Sequence, residues 1–134
     1  MATRRAVART WLNGWCTRTR FQQAGPCYFC GDFTDSIEHI ARCRTPREIG
    51  NAQLGLAILA ADNLAWLWLD GVCRSPLRIL QHALFVHAVY RAHNKLRHGA
   101  TTAAATASHA RDYILGEIRG LALQHACIAY AITR

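Results

Sequence analysis

The sequence predicts a mostly α-helical chain in which a short Cys3His module is followed by a three- to four-helix bundle. Two observations carry this. Apolar residues recur at helical spacing, with proline and glycine where helices start and stop, and three cysteines and a histidine crowd between residues 27 and 43. A third, the composition, sets the scale: 134 residues, 51% hydrophobic and 18% charged, suffice for one globular core. The expected organisation is a single domain, with residues 1–45 forming a basic N-terminal helix and the Cys3His module and residues 46–134 the bundle.

From residue 3 to about 23, Val7, Trp11 and Trp15 stand at i, i+4 and i+8, which predicts a helix with one apolar stripe despite Gly14. Ala24-Gly25-Pro26 ends it. A short helix is expected from Asp35 or Ser36 through Cys43, placing His39 and Cys43 one turn apart on one face. Thr45, Pro46 and Glu48 fit a capping box with proline in the first turn, and the helix they start is expected to run towards Ala60. Asp62 and Asn63 can cap a further piece through Trp66 and Trp68 that ends at Asp70-Gly71. Ser75-Pro76 starts a helix of about 22 residues ending at His98-Gly99. After an alanine-rich link from Thr101, Leu115, Ile118, Ala122, His125 and Ala129 mark a last helix.

The segment CYFCGDFTDSIEHIARC spells C-x2-C-x8-H-x3-C. A C-x2-C turn lets two thiolates converge on one ion, Gly31 frees the chain to curl behind it, and His39 and Cys43 reach the same ion from a helix. Cys27, Cys30, His39 and Cys43 are therefore expected to bind zinc as a closed structural site. An iron-sulfur cluster would need a fourth thiolate, for which only Cys16 is near. Phe29, Phe33 and Ile37 are expected around the ion, two of the three as core and an exposed aromatic as a possible base-stacking ring. Cys16, Cys73 and Cys127 stand apart and read as small apolar residues, so free thiols in a reducing compartment fit better than three disulfides.

The balance of 16 basic to 8 acidic residues gives a formal net charge of +8, and Lys95 is the only lysine. Guanidinium forks bind phosphate bidentately and stack on bases, so an arginine excess points towards nucleic acid. Arg4, Arg5, Arg9, Arg18 and Arg20 precede the first acidic residue, Asp32, a bias shared by nucleic-acid-binding arms and organelle transit peptides. Between Asp70 and Asp112 no acidic residue occurs, and Arg74, Arg78, Tyr90, Arg91, Lys95 and Arg97 can form a basic stripe with one stacking ring. His82, His87, His93 and His98 fall at intervals that spread them around a helix, against a second metal site.

The C-x2-C-G start and E-H-x3-C ending resemble the zinc-binding region at the C-terminal end of reverse transcriptases of non-LTR retrotransposons. The stretch Trp11-Leu12-Asn13-Gly14-Trp15-Cys16-Thr17 to Arg20 is similar to the segment preceding that motif in retroelement-derived proteins of protists, including dinoflagellates. The likeness covers residues 8 to 45. It implies that Cys27, Cys30, His39 and Cys43 are the ligands and that the basic surroundings touch nucleic acid. This chain departs from the family at Ile40-Ala41-Arg42, where an apolar or aromatic residue often follows the histidine in a leucine-rich helix. It also carries neither the paired aspartates of the polymerase nor an endonuclease carboxylate cluster, so the resemblance implies a detached, domesticated tail.

No serine, thiol or carboxylate pair carries a catalytic signature, and an enzyme is not expected. The expected function is a zinc-stabilised nucleic-acid-binding protein, with RNA the favoured partner, acting among other proteins of a ribonucleoprotein such as a ribosome. The alternative is an interaction subunit of a protein assembly, with Trp66, Trp68 and the last helix as its interface. No apolar run near the N-terminus has signal-peptide length, and Leu54 to Leu69 is interrupted by Asp62 and Asn63. An intracellular compartment is expected, mitochondrial or nuclear, without membrane contact.

Overall fold

The computed structural model describes residues 2–11, 14–59, 65–69, 75–99 and 103–126. Among these the chain is mostly helical, with α1 (Ala2–Trp11), α2 (Ile37–Arg42), α3 (Arg44–Leu54), α4 (Ala65–Trp68), α5 (Pro76–His98) and α6 (Ala103–Ala122). No strand occurs among them, and one isolated β-bridge joins Pro26 to Thr34. The mostly α fold, with the Cys3His cluster near the N-terminus and helices after it, is the one the sequence predicts.

The first helix is shorter than its periodicity suggests. It ends at Trp11, and Gly14 to Thr17 run without helical structure into a 3-10 turn at Thr19–Phe21. Gly14 makes the exit: its N–H donates to the Arg9 carbonyl, and a Cβ there would lie 2.9 Å from that oxygen. Trp15 therefore does not extend the stripe of Val7. It folds back beneath α1, fully buried, with its indole N–H donating to the Thr10 hydroxyl at 2.8 Å.

Thr45 does not cap α3. The helix starts two residues earlier than that cap implies, at Arg44, and the Thr45 hydroxyl instead donates to the Phe29 carbonyl at 3.3 Å, tying α3 to the loop that carries Cys27 and Cys30. The helix also stops short of Ala60, because Gly55 adopts a left-handed conformation (φ 59°, ψ 38°) at its C-terminal end. The Asn51 side chain then clasps the outgoing backbone, accepting from the Ile58 N–H and donating to its carbonyl. The expected caps at Asp62 and Asn63 and the stop at Asp70-Gly71 lie outside the described residues.

The central element is α5, buried from Gln81 to Tyr90 with few interruptions and again at Ala92, His93 and Leu96. Pro76 occupies its first turn as expected. Helix α6 packs along it through Ala110, Ile114, Ile118 and Leu121, and α1, α3 and α4 close the remaining faces. The last helix begins at Ala103, so the alanine-rich link is largely helical itself, and ends at Ala122, before His125. One cluster of buried side chains runs from Trp15, Cys27, Phe29 and Ile40 through Leu84 and Phe85 to Ile114 and Ile118. Each such large side chain contributes about 1.5–3 kcal/mol when removed from water. Among the described residues no helix is long and apolar enough to cross a membrane.

Gly50 of α3 packs directly against α5. A Cβ there would meet the Phe85 ring at 2.8 and 2.9 Å, and Phe85 is fully buried with nowhere to retreat. Gly116 on the exposed face of α6 has nothing within 4 Å. Gly50→Val is thus expected to cost about 1–3 kcal/mol through overpacking. Gly116→Ala should instead stabilise by up to about 1 kcal/mol through helix propensity. Urea unfolding of the two variants checks both signs, and a tolerated Gly50→Val would mean that α3 and α5 do not meet as described.

Candidate metal centre

The cluster is built by three local devices. Backbone hydrogen bonds from the Cys27 N–H to the Asp32 and Phe33 carbonyls (3.2 and 3.1 Å), and from Gly31 to the Cys27 carbonyl (2.9 Å), curl residues 27–33 into a tight loop. Gly31 takes φ 75°, a conformation that costs a residue with a Cβ but not glycine. The Phe29 N–H points at the Cys27 sulfur, 3.3 Å away. The second device is the cap of α2: the Ser36 hydroxyl accepts from the His39 N–H at 3.1 Å, fixing the helix that carries the imidazole. The third is Cys43, which leaves α2 with φ −60° and ψ 128° and turns the chain directly into α3.

These devices bring Cys27, Cys30, His39 and Cys43 together, with all four candidate ligand atoms within 4.8 Å of one another. The Cys30 sulfur and His39 Nε2 are 3.3 Å apart. A tetrahedral ion with metal–sulfur bonds of about 2.3 Å spaces its ligands by about 3.7 Å, so the group fits a single metal ion. The cysteines are free thiols. Cys27 and Cys43 are buried, while Cys30 and His39 are half-buried. Burial pulls His39 below the ordinary imidazole range, leaving it neutral and able to donate its lone pair to a metal. The hydrogen bond with Cys43, and then burial, push the Cys27 thiol far above its usual range, and burial raises Cys30. Thiols held this close ionise readily only around a cation, which is the chemistry of a metal site.

The surroundings of the cluster divide as expected. Phe29 and Ile37 are core, whereas the Phe33 ring stacks on His39 at 5.0 Å and remains 77% exposed. Phe33 also holds a left-handed φ of 58°, unfavourable for a side chain of its size.

What docks this module on the helices is a pair that the sequence did not single out. Asp35 and His93, 58 residues apart and both fully buried, meet with Nε2 3.1 and 3.2 Å from the two carboxylate oxygens. The carboxylate also accepts the Arg18 N–H at 2.9 Å. Trp15, Tyr28 and Phe29 surround the imidazole. Its Nδ1 is buried without a hydrogen-bond partner, so the ring is held by the carboxylate through Nε2 alone. Trp66, the second tie, donates its indole N–H to the Ala41 carbonyl of α2 at 2.8 Å.

The basic residues are dispersed, and several have internal work. Arg4, Arg5 and Arg9 lie exposed on α1, and Arg20 is exposed in the 3-10 turn. Arg78 donates to the Leu54 carbonyl and to Gln81. Arg91 and Lys95 both pair with the nearly buried Glu117 of α6, Arg91 at 2.9 Å, so on this helix the expected basic stripe is partly a bridge to its neighbour. Tyr90 is only 8% exposed and packs edge-on against Trp15, which withdraws it as a stacking ring for a base. The Arg9 guanidinium donates to the Tyr90 hydroxyl. Arg18 and Arg97 lie over the rings of Tyr28 and Phe21. Arg74, Cys73 and Cys127 lie outside the described residues.

His82, His87 and His93 are buried in α5. Burial lowers the affinity of His82 and His87 for a proton. Trp66, considered as an interface anchor, is core as well. Comparison with protein-family models, with curated proteins and with solved structures finds no match for this chain.

Proposed function

We propose that this chain is a zinc-stabilised RNA-binding structural protein that works as a subunit of a ribonucleoprotein such as a ribosome. The observation that carries the reading is the gathering of three thiols and one imidazole whose ligand atoms all lie within 4.8 Å of one another. Zinc is the ion best suited to that donor set, and four protein ligands leave it no open position for a reactive water. When bound it supplies a fixed, redox-inert centre. An enzyme is disfavoured on the same ground, and the buried acids Asp35 and Glu117 are already engaged with His93, Arg91 and Lys95.

The net charge of +8, almost all of it arginine, supports a polyanionic partner. The exposed ring of Phe33 supports contact with unpaired bases, which stack on aromatic faces without regard to sequence. The resemblance of residues 8 to 45 to a reverse-transcriptase zinc-binding tail agrees with both and supports descent from such a tail. A second reading, an interaction subunit without nucleic-acid contact, draws on Leu77, Ile79 and Leu80, which are exposed near the start of α5.

Titrating a labelled oligouridine at increasing salt separates the two. The RNA reading expects the logarithm of affinity to fall linearly with the logarithm of salt, losing about 0.7 per phosphate contacted. It also expects Phe33→Ala to lower affinity by about 1–3 kcal/mol at unchanged fold and metal content. No binding even at low salt would overturn it in favour of the protein scaffold.

A further inference from the structure

Three arginines from separate parts of the chain lie over aromatic rings: Arg9 over Tyr90 (5.8 Å), Arg18 over Tyr28 (4.6 Å) and Arg97 over Phe21 (5.2 Å). Their rings belong to one seam. Tyr90, His93 and Arg97 stand at i, i+3 and i+7 and so share a face of α5. Trp15 of the incoming segment packs on both Tyr90 and His93, and Tyr28 of the metal loop packs on His93. The rise from Tyr90 to Arg97 is about 10 Å, the reach of a few consecutive nucleotides.

Arg18 is held most firmly. A Cβ on Gly25 would come within 2.5–2.8 Å of its Cδ, Nε and Cζ, so the guanidinium lies between that glycine's bare backbone and the Tyr28 ring. Its Nε is buried with no hydrogen-bond partner. None of Arg9, Arg18 and Arg97 forms an ion pair among the described residues, in contrast to Arg91 and Lys95. A guanidinium held over a ring has already lost much of its rotamer freedom, so its planar fork binds phosphate at reduced entropic cost.

We infer that the seam between the metal module and α5, marked by Arg9, Arg18 and Arg97 on their rings, is the track for the phosphate backbone of a single RNA strand. The inference rests on the RNA reading above and adds to it a location and a strand type. Phe33, in the same loop as Tyr28, presents its exposed ring to a base that only an unpaired strand can offer.

The test compares two triple variants of the metal-loaded full chain with the same loss of charge. One carries R9Q, R18Q and R97Q, and the other carries R42Q, R111Q and R119Q, at exposed positions on α2 and α6, which hold none of the three rings. Binding of a labelled oligouridine is measured against salt, with metal content and circular dichroism confirming the fold of each protein. The seam variant is expected to lose about 2 from the magnitude of the log–log salt slope, and the control little. Should the seam variant fail to fold, the single variants R9K, R18K and R97K replace it. Lysine retains the charge but not the planar fork, so each should bind more weakly at an unchanged slope.

Equal losses in the seam and control triples, or unweakened lysine variants, would overturn the inference while leaving RNA binding intact. Equal affinity for a duplex of the same length would overturn the single-strand assignment and with it the inference. A wild-type chain that ignores RNA, or that binds oligoglutamate instead, would overturn both the inference and the RNA reading.

Discussion

Removing the metal with a chelator is expected to unfold the segment from Trp15 to Cys43 and to strip the chain of most of its stability. Structural zinc contributes about 10–16 kcal/mol in isolated finger peptides, against a total stability of about 5–15 kcal/mol for an ordinary domain. Without the ion, the segment from Cys27 to Cys43 must hold three thiols and an imidazole together against one another. The loss should spread to the helices, because Phe29, Ile37, Ile40 and Cys43 are continuous with the core around Leu84 and Phe85. Hydrogen exchange should show protection vanishing first at Phe29, Gly31 and Ile40 and persisting longest in α5 and α6. Cys43→Ala should behave like the chelated protein even in excess zinc. Unchanged exchange after complete metal removal would mean that the ion is incidental to the fold.

Asp35→Ala should be the most damaging single substitution outside the ligands, at about 3–5 kcal/mol. It leaves His93 Nε2 and the Arg18 N–H without the carboxylate they share in a fully buried site. His93→Ala removes the imidazole at the centre of Trp15, Tyr28 and Phe29 and leaves a buried carboxylate without its ring partner. The double variant should be less damaging than the sum of the two, by about 0.5–3 kcal/mol, since each single change already destroys the same contact. Chemical unfolding of the four proteins closes this cycle, and strict additivity would show that the pair does not join the module to α5. Metal affinity should fall in both single variants, because the docked module presents its four donors already gathered.

The donors themselves were legible because they are local. Cys27, Cys30, His39 and Cys43 lie within one short stretch, and the Ser36 cap that aims His39 follows directly from sequence. The starts of α5 at Pro76 and of α2 at Ile37 were legible for the same reason: proline in a first turn and serine before one act through their immediate neighbours. The Asp35–His93 contact was not, since nothing in a lone aspartate before a cap, or in one of several spaced histidines, reveals a partner 58 residues away. The mistaken extension of the first helix has a similar cause. Val7 and Trp15 are both buried, as a helical stripe requires, but Trp15 reaches the core by folding back past Gly14 to Thr10.

Thr45 shows the same limit from the other side. Its pattern with Pro46 and Glu48 is a sound local capping signal, yet the Phe29 carbonyl competes for the hydroxyl and tertiary structure prevails. The partners of the charged residues of α5 were not legible because composition reports charge and not its neighbours. Glu117 arrives from α6 to occupy Arg91 and Lys95, while the aromatic seam leaves Arg97 free of any carboxylate among the described residues.

The central claim is that four side chains from one short stretch close around a single ion. Cobalt(II) substitution tests it most directly, because a tetrahedral site gives intense visible d–d bands and bound thiolates add charge-transfer bands in the near ultraviolet. The account predicts one cobalt per chain with a tetrahedral three-sulfur, one-nitrogen spectrum, displaced stoichiometrically by zinc and absent from Cys43→Ala. A pale octahedral spectrum, or full thiol titration unaffected by the metal, would contradict it.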